Sequence, residues 1–162
     1  MTRNFLIAFA VGVAVIALAV TGIMLNQRGS AIVFQARILK ARTAPLDENS
    51  TVAVLDIRLT NPSDLVLEVL QVKLEMEDSK GARVYGDVIG ASDTKRVFEA
   101  VPMLGQQFLE TLSMKDRIPA RSTKDYMVAA RFGAPVAQVD QRARFVLHLD
   151  ESDGKSFEFL ER

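Results

Sequence analysis

The sequence predicts a mainly β protein: an antiparallel β-sandwich with a short helical insertion, preceded by one transmembrane α-helix. Three observations predict it. Residues 5–25 form an apolar run without a charge, the segments on either side of about 91–122 alternate apolar and polar side chains with period two, and 91–122 itself does not alternate. The expected division is an N-terminal anchor with short flanks over 1–28 and a β-sandwich domain over 29–162, with its insertion at about 91–122.

Taking the elements in order, Phe5 to Leu25 reads FLIAFAVGVAVIALAVTGIML. A helix of that length measures roughly 31 Å, about the thickness of a hydrocarbon core. Its Leu, Ile, Phe and Val residues sum to roughly −4 to −7 kcal/mol on the insertion scale, so a membrane-spanning signal anchor is expected. A cleavable signal peptide is the rival, because Ala17-Leu18-Ala19 resembles a cleavage site, but VTGIML continues the apolar run beyond it. The expected placement is the cytoplasmic (inner) membrane, single-pass, with the N-terminus inside and the domain periplasmic or extracellular, and with the bilayer as the partner of Phe5 to Leu25. The spacings Ala8/Gly12 and Ala10/Ala14 would suit helix pairing.

The first strand is placed at Ala31 to Leu39. Ala53, Leu55, Ile57 and Leu59 share one face of the next, opposed by Asp56, Arg58 and Thr60. Asn61-Pro62-Ser63-Asp64 turns the chain: Asn and Ser bond their own backbone, and Pro fixes φ and removes a donor. Leu70, Val72, Leu74 and Met76 then point one way and Gln71, Lys73, Glu75 and Glu77 the other, up to a turn at Asp78-Ser79-Lys80-Gly81 before ARVYGDVI. Tyr126, Val128, Ala130 and Phe132 form a further row, as do Ala143, Phe145, Leu147 and Leu149. A turn at Glu151-Ser152-Asp153-Gly154 leads to Phe157 and Phe159. Six or seven such strands divided by turn residues indicate an antiparallel sandwich with one wet face per sheet.

The insertion needs a separate account. Ser92 or Asp93 is positioned to cap a helix through TKRVFEAV, with Val97, Phe98 and Val101 on one side and Pro102 stopping it. Met103, Leu104, Phe108, Leu109, Leu112 and Met114 follow, too apolar for a plain surface loop. Two readings stand. The segment is a lid over one end of the core, or it is a contact surface for a protein partner or a lipid face, with Phe98, Val101, Met103, Leu104, Phe108, Leu109 and Met114 as contacts.

Totals and motifs narrow the chemistry. Lys and Arg number 20 and Asp and Glu 20, and excluding Arg3 and Arg28 leaves 18 against 20, a net of −2 beyond the anchor. No electrostatic term favours nucleic acid. Without Cys there is no disulfide or thiolate metal site. Ser92 and Lys95 match S-x-x-K, the spacing of a lysine-activated serine, but the supporting motifs are missing and a helix start accounts for the serine. His148, the single histidine, is expected on the outward, solvated face of its strand. Asp150 to Gly154 is read as a hairpin turn rather than a calcium loop, since the ligand spacing fails. Asn49-Ser50-Thr51 is a glycosylation sequon. Arg142, Arg144 and Lys155 share an outer face that Asp150 and Glu158 dilute. No catalytic residue, cofactor site or metal site is read, and the chain is expected not to be an enzyme.

Leu59 to Gly81, LTNPSDLVLEVLQVKLEMEDSKG, resembles the core of type 2 late-embryogenesis-abundant (water-stress) domains and, equally, that of bacterial membrane-anchored immunoglobulin-like domains of unknown function. LHLDESDGKSFEF is similar to their last hairpin. The resemblance implies an immunoglobulin/fibronectin-III-like β-sandwich and a binding, envelope or stress-associated module without assigned catalytic residues. The expected function is a non-catalytic interaction or accessory module at the cell envelope. The alternatives are a stress-protective or chaperone-like domain holding apolar ligands or client chains, and a Ser92/Lys95 hydrolase.

Overall fold

The computed structural model describes residues 3–27, 34–152 and 154–161, and, within the first helix, the side chains of residue 9 and residues 11–22. The chain divides into two units, Met1–Ile32 and Val33–Arg162.

In the first unit, α1 (Arg3–Gln27) is a helix of 25 residues. Its described side chains, from residue 9 to 22, are all exposed. Among the described residues no helix is long and apolar enough to cross a membrane. The expected transmembrane anchor is corrected on that finding, and with it the single-pass inner-membrane placement with the domain outside. The side chains at both ends of the apolar run, Phe5–Ala8 and Ile23–Leu25, lie outside the described ones. Ala8 and Ala10 lie there too.

Among the described residues the second unit holds eight strands: β1 (Gln35–Asp47), β2 (Ser50–Asn61), β3 (Leu67–Glu77), β4 (Arg83–Ile89), β5 (Arg117–Ile118), β6 (Ser122–Phe132), β7 (Arg144–Glu151) and β8 (Ser156–Leu160). Two helices interleave with them, α2 (Ala91–Ala100) and α3 (Val136–Asp140). The strands form one antiparallel sheet in the order β1-β2-β6-β4-β3-β7-β8, with β5 beside β3. This corrects the immunoglobulin/fibronectin-III-like sandwich. A sandwich needs two sheets without hydrogen bonds between them, whereas here β4 joins the halves. Arg83–Gly86 pairs with β3, and Asp87–Ile89 crosses to pair with β6. The sheet curls into a half-barrel and brings its edges together, where Phe34 meets Phe157 and Phe159 edge-on at 5.7 and 5.9 Å.

The crossing depends on Gly86. A Cβ there would lie 2.7 Å from Cζ of Phe132, a ring that is itself fully buried against Phe145. Only a residue without a side chain lets β4 pass so close to that ring while changing partners.

Alternation explains the inner face. Ala53, Leu55 and Ile57 of β2 lie opposite Ala130, Val128 and Tyr126 of β6, and Val72, Leu74 and Met76 of β3 opposite Leu149, Leu147 and Phe145 of β7. All are buried. Leu70 departs from its expected row. A bulge between Val69 and Gln71 inserts a residue, so Val69 is buried at 1% exposure and Leu70 stands out at 56%. The β2–β3 turn is organised by Asn61, which is buried. Its Nδ2 donates to the carbonyls of Leu65, Ile118 and Pro119, and its Oδ1 accepts from the amide and hydroxyl of Ser63.

The first strand also differs from expectation. Ala31 lies outside the described residues, and the strand continues past Leu39 to Asp47. Pro45 is tolerated because β1 is an edge strand. A bulge at Leu39 shifts the register: Ile38 faces Ile57, but Lys40 faces Asp56 and Arg42 faces Val54. One extra residue turns every later side chain to the other face, and so Arg42 lies on the outside of the sheet.

Candidate functional site

That outer face is apolar over part of β2 and β6, short of the Arg58–Asp125 pair. Ala44, Val52, Val54, Met127 and Ala129 are buried on it together with Phe98 and Leu104 of the insertion, with Ile89, Val97, Val101 and Leu109 packed around them. The insertion thus roofs the outside of the sheet. Its helix starts differently from expectation: Gly90 is the N-cap, with no side-chain cap bond, and Thr94 Oγ1 donates back to the Gly90 and Ile89 carbonyls. Ser92 and Lys95 are both exposed on α2, Lys95 bordering a shallow depression with Phe98, Glu99 and Gly105–Gln107.

After a 3-10 turn at Pro102–Leu104, the chain returns to the sheet and completes it. Met127 donates to the Glu110 carbonyl and accepts from the Leu112 amide, Lys115 donates to Val69, and Val69 donates to Asp116. Residues 110–118 therefore fill the seam between β6 and β3 where β4 has left one or the other. The seam is incomplete at one place. Past Gly86, β4 parts from β3, and a cleft of about 330 Å³ opens between them, lined by Gln71, Val72, Val88, Ile89, Gly90, Leu112, Ser113 and Met114. It lies at the edge of the insertion.

The seven expected contact residues divide into two sets. Phe98 and Leu104 are buried, and Val101 and Leu109 half-buried, all four seated on the sheet. Met103 and Phe108 are each 78% exposed and Met114 67%, with Met114 on the lip of the cleft. Helical and loop spacing identifies these residues as apolar but gives no signal of which side the sheet takes.

Sequence reasoning misses Arg42, the main polar link between insertion and sheet. Its Nη2 donates to Asp56 Oδ1 at 2.8 Å, and its Nη1 donates to the carbonyls of Leu104 at 2.8 Å and Gln106 at 3.2 Å. The guanidinium lies 5.3 Å from the centre of the Phe98 ring. The only signal in the sequence is the acid on the polar side of β2, and the bulge that turns Arg42 toward it leaves no mark in the pattern.

A second group of polar side chains covers the outer face of β3 and β7. Glu75 is buried, with Oε1 3.1 Å from His148 Nε2 and Oε2 3.6 Å from Arg83 Nη1. The Glu75 carboxylate beside it holds the Tyr85 phenol above its usual range. Glu77 accepts from Arg144 and Arg83, and the Arg144 hydrogen bond, first of these, keeps its carboxyl below the ordinary range. Asp150 is also held low, first by the Ser156 hydroxyl and then by Lys73. His148 faces outward as expected but is only 17% exposed, between Glu75 and Glu158. Ahead of β7 and apart from this group, Arg142 pairs with Glu161 and lies over the ring of the inward-facing Phe145. Of the turn at Glu151–Gly154, Asp153 lies outside the described residues. With its cations and anions matched, this face is an ionic cover for the sheet.

No protein-family model matches the chain, and no curated protein matches it. Two solved structures are similar in part. One is a Bordetella pertussis protein provisionally named ApaA, 16% identical, with a TM-score of 0.35 over 81% of this chain and 89% of that one. The other is the structural-genomics target SoR45, 12% identical, with a TM-score of 0.32 over 81% of this chain and 80% of that one. Likenesses this remote establish neither fold nor function for this chain.

Proposed function

We propose that the unit Val33–Arg162 is a non-catalytic interaction module that binds a protein partner through the outer side of the 93–114 insertion, with Met103, Phe108 and Met114 as its apolar contacts. The supporting observation is the division of the insertion's side chains. Phe98, Val101, Leu104 and Leu109 seat the segment on the sheet, while the two methionines and the phenylalanine stand in water. A single exposed apolar residue is ordinary. Three on a segment whose other side is anchored give a firm backbone presenting one aromatic and two adaptable thioether contacts, the types enriched at interfaces.

The test replaces the three residues and keeps the backbone, because removing 110–114 would strip Met127 of its seam partners. The full chain and its Met103→Ser/Phe108→Ser/Met114→Ser variant are crosslinked and their partners recovered. Loss of a specific partner is expected, with stability changed by no more than about 0.5 kcal/mol per exposed site. Equal partner recovery by the two proteins would refute the contact surface.

A further inference from the structure

The segment Pro102–Leu109 crosses the apolar outer face as a strap. Its own backbone bonds are local: Leu104 donates to Val101, and Gly105, at φ +78°, donates to Pro102. Past it, the first ladder bond to the sheet is made by Glu110. Between those points, among the described residues, the polar attachments of the strap to the sheet are the two that Arg42 makes, to the carbonyls of Leu104 and Gln106. Arg42 is itself fixed at its other terminal nitrogen by Asp56, and Met127 Sδ lies 3.8 Å from that nitrogen. Its Nε has no hydrogen-bond partner among the described residues, so the grip is made by the two ends of the fork. The fork is what matters. A guanidinium reaches a carboxylate on one side and two carbonyls on the other in one plane, while an ammonium is a single point that cannot span them.

We propose that Arg42 is the latch of this strap: a positioning residue that holds Met103 and Phe108 outward and keeps Leu104 and Leu109 closed over Val54 and Met127. The proposal rests on the contact-surface reading for its purpose, though not for its geometry. Releasing the latch lets the strap open by itself, without unfolding the curled sheet, because the remaining attachments are the apolar side chains of Leu104 and Leu109. Local opening of this kind is governed by few contacts and is separable from global unfolding.

The experiment is limited proteolysis of the full chain with chymotrypsin, with cleavage sites mapped by mass, on the parent, Arg42→Met and Arg42→Lys. Arg42→Met keeps the stem and removes the fork, and Arg42→Lys keeps the charge. The expected result is cleavage after Phe108 at least about tenfold faster in Arg42→Met, with little dependence on dilute urea, as local opening requires. Arg42→Lys should fall between the two, and the cooperative melting of the sheet should persist in both variants. Cleavage at the parent rate in Arg42→Met would overturn the latch. So would loss of cooperative melting in both variants, since Arg42 would then be holding the sheet. Partner recovery is scored alongside. Faster cleavage with undiminished recovery leaves the latch standing and removes the contact surface. Unchanged cleavage, with recovery lost only in the triple serine variant, does the reverse.

Discussion

On the outer face of β2 and β6, Val52, Val54, Met127 and Ala129 are sealed under α2 and the strap. On the same face of β3 and β7, Lys73, Glu75, Glu77, Arg144 and His148 are matched to one another and to Arg83, Asp150 and Glu158. Both halves share one inner core and belong to one sheet, so the difference is not one of architecture. A curled sheet covers only its inner face, and each half solves the remaining problem differently. One borrows 27 residues of connecting chain between β4 and β5, read from the ends of those strands at Ile89 and Arg117. The other ties its own side chains into a charge lattice. The borrowed cover has an outside of its own, and there Met103, Phe108 and Met114 stand exposed.

The contrast is broken most forcefully by cutting into the sealed half. Met127→Ala removes a fully buried side chain from beneath the strap and is expected to cost about 2–5 kcal/mol, the range for large-to-small changes in a closed core. Lys73→Ala, at the corresponding outer position of the charged half, removes one cation that is 40% exposed and is expected to cost less than about 1 kcal/mol. Urea unfolding of the two variants reads both values. Similar losses would show that the insertion is not a real seal.

Much of the inner face is legible in the sequence, because period two needs nothing beyond the chain itself. The rows of β2 and β6 fall where their alternation puts them, as do Phe145, Leu147 and Leu149 of β7, whereas Ala143 is exposed ahead of that strand. The turn at Asn61-Pro62-Ser63 is legible for a local reason too, since its bonds begin with Asn61 and Ser63. What alternation cannot show is a change of phase. The bulges at Leu39 and Leu70 each insert one residue and reverse everything after it on one side, which hides Arg42 and misplaces Leu70. Nor does alternation name partners. That β4 divides itself between β3 and β6 is written in the contact of Gly86 with Phe132, residues 46 positions apart, and this makes a half-barrel of the expected sandwich. The contact residues of the insertion are recognisable as a group for their apolarity, but their division depends on the position of the sheet.

Gly86 offers the next test, because it sits where the two halves join. A methyl group at that point meets the Phe132 ring at 2.7 Å. Phe132 is fully buried and cannot swing clear. Gly86→Ala should therefore cost about 1–3 kcal/mol, the usual penalty of overpacking. The expected loss is far larger than that of Gly90→Ala, which meets nothing within 4 Å. Equal stability of the two variants would mean that β4 does not cross so close to the ring.

The smallest expected effect separates the halves by their chemistry. Glu77 and Asp150 have carboxyls held below their ordinary values of 4.5 and 3.8, by Arg144 and by Ser156 with Lys73. A carboxyl that is more acidic folded than unfolded contributes its full stability above the unfolded value. It loses that contribution as pH falls through the folded one, because there the unfolded chain binds the proton first. Stability measured by urea midpoint should accordingly be level near neutrality and decline as pH drops below about 5. Asp125, held low by Arg58, and Asp47, held low by the Ser50 hydroxyl, belong to the β2–β6 half, so part of the acid slope comes from there. Glu77→Gln should flatten the decline without abolishing it, whereas Met127→Ala should lower the whole curve and leave its slope unchanged. A parallel curve for Glu77→Gln would mean that the Glu77 pairs with Arg144 and Arg83 add nothing to folding, leaving the charge lattice a covering without a grip.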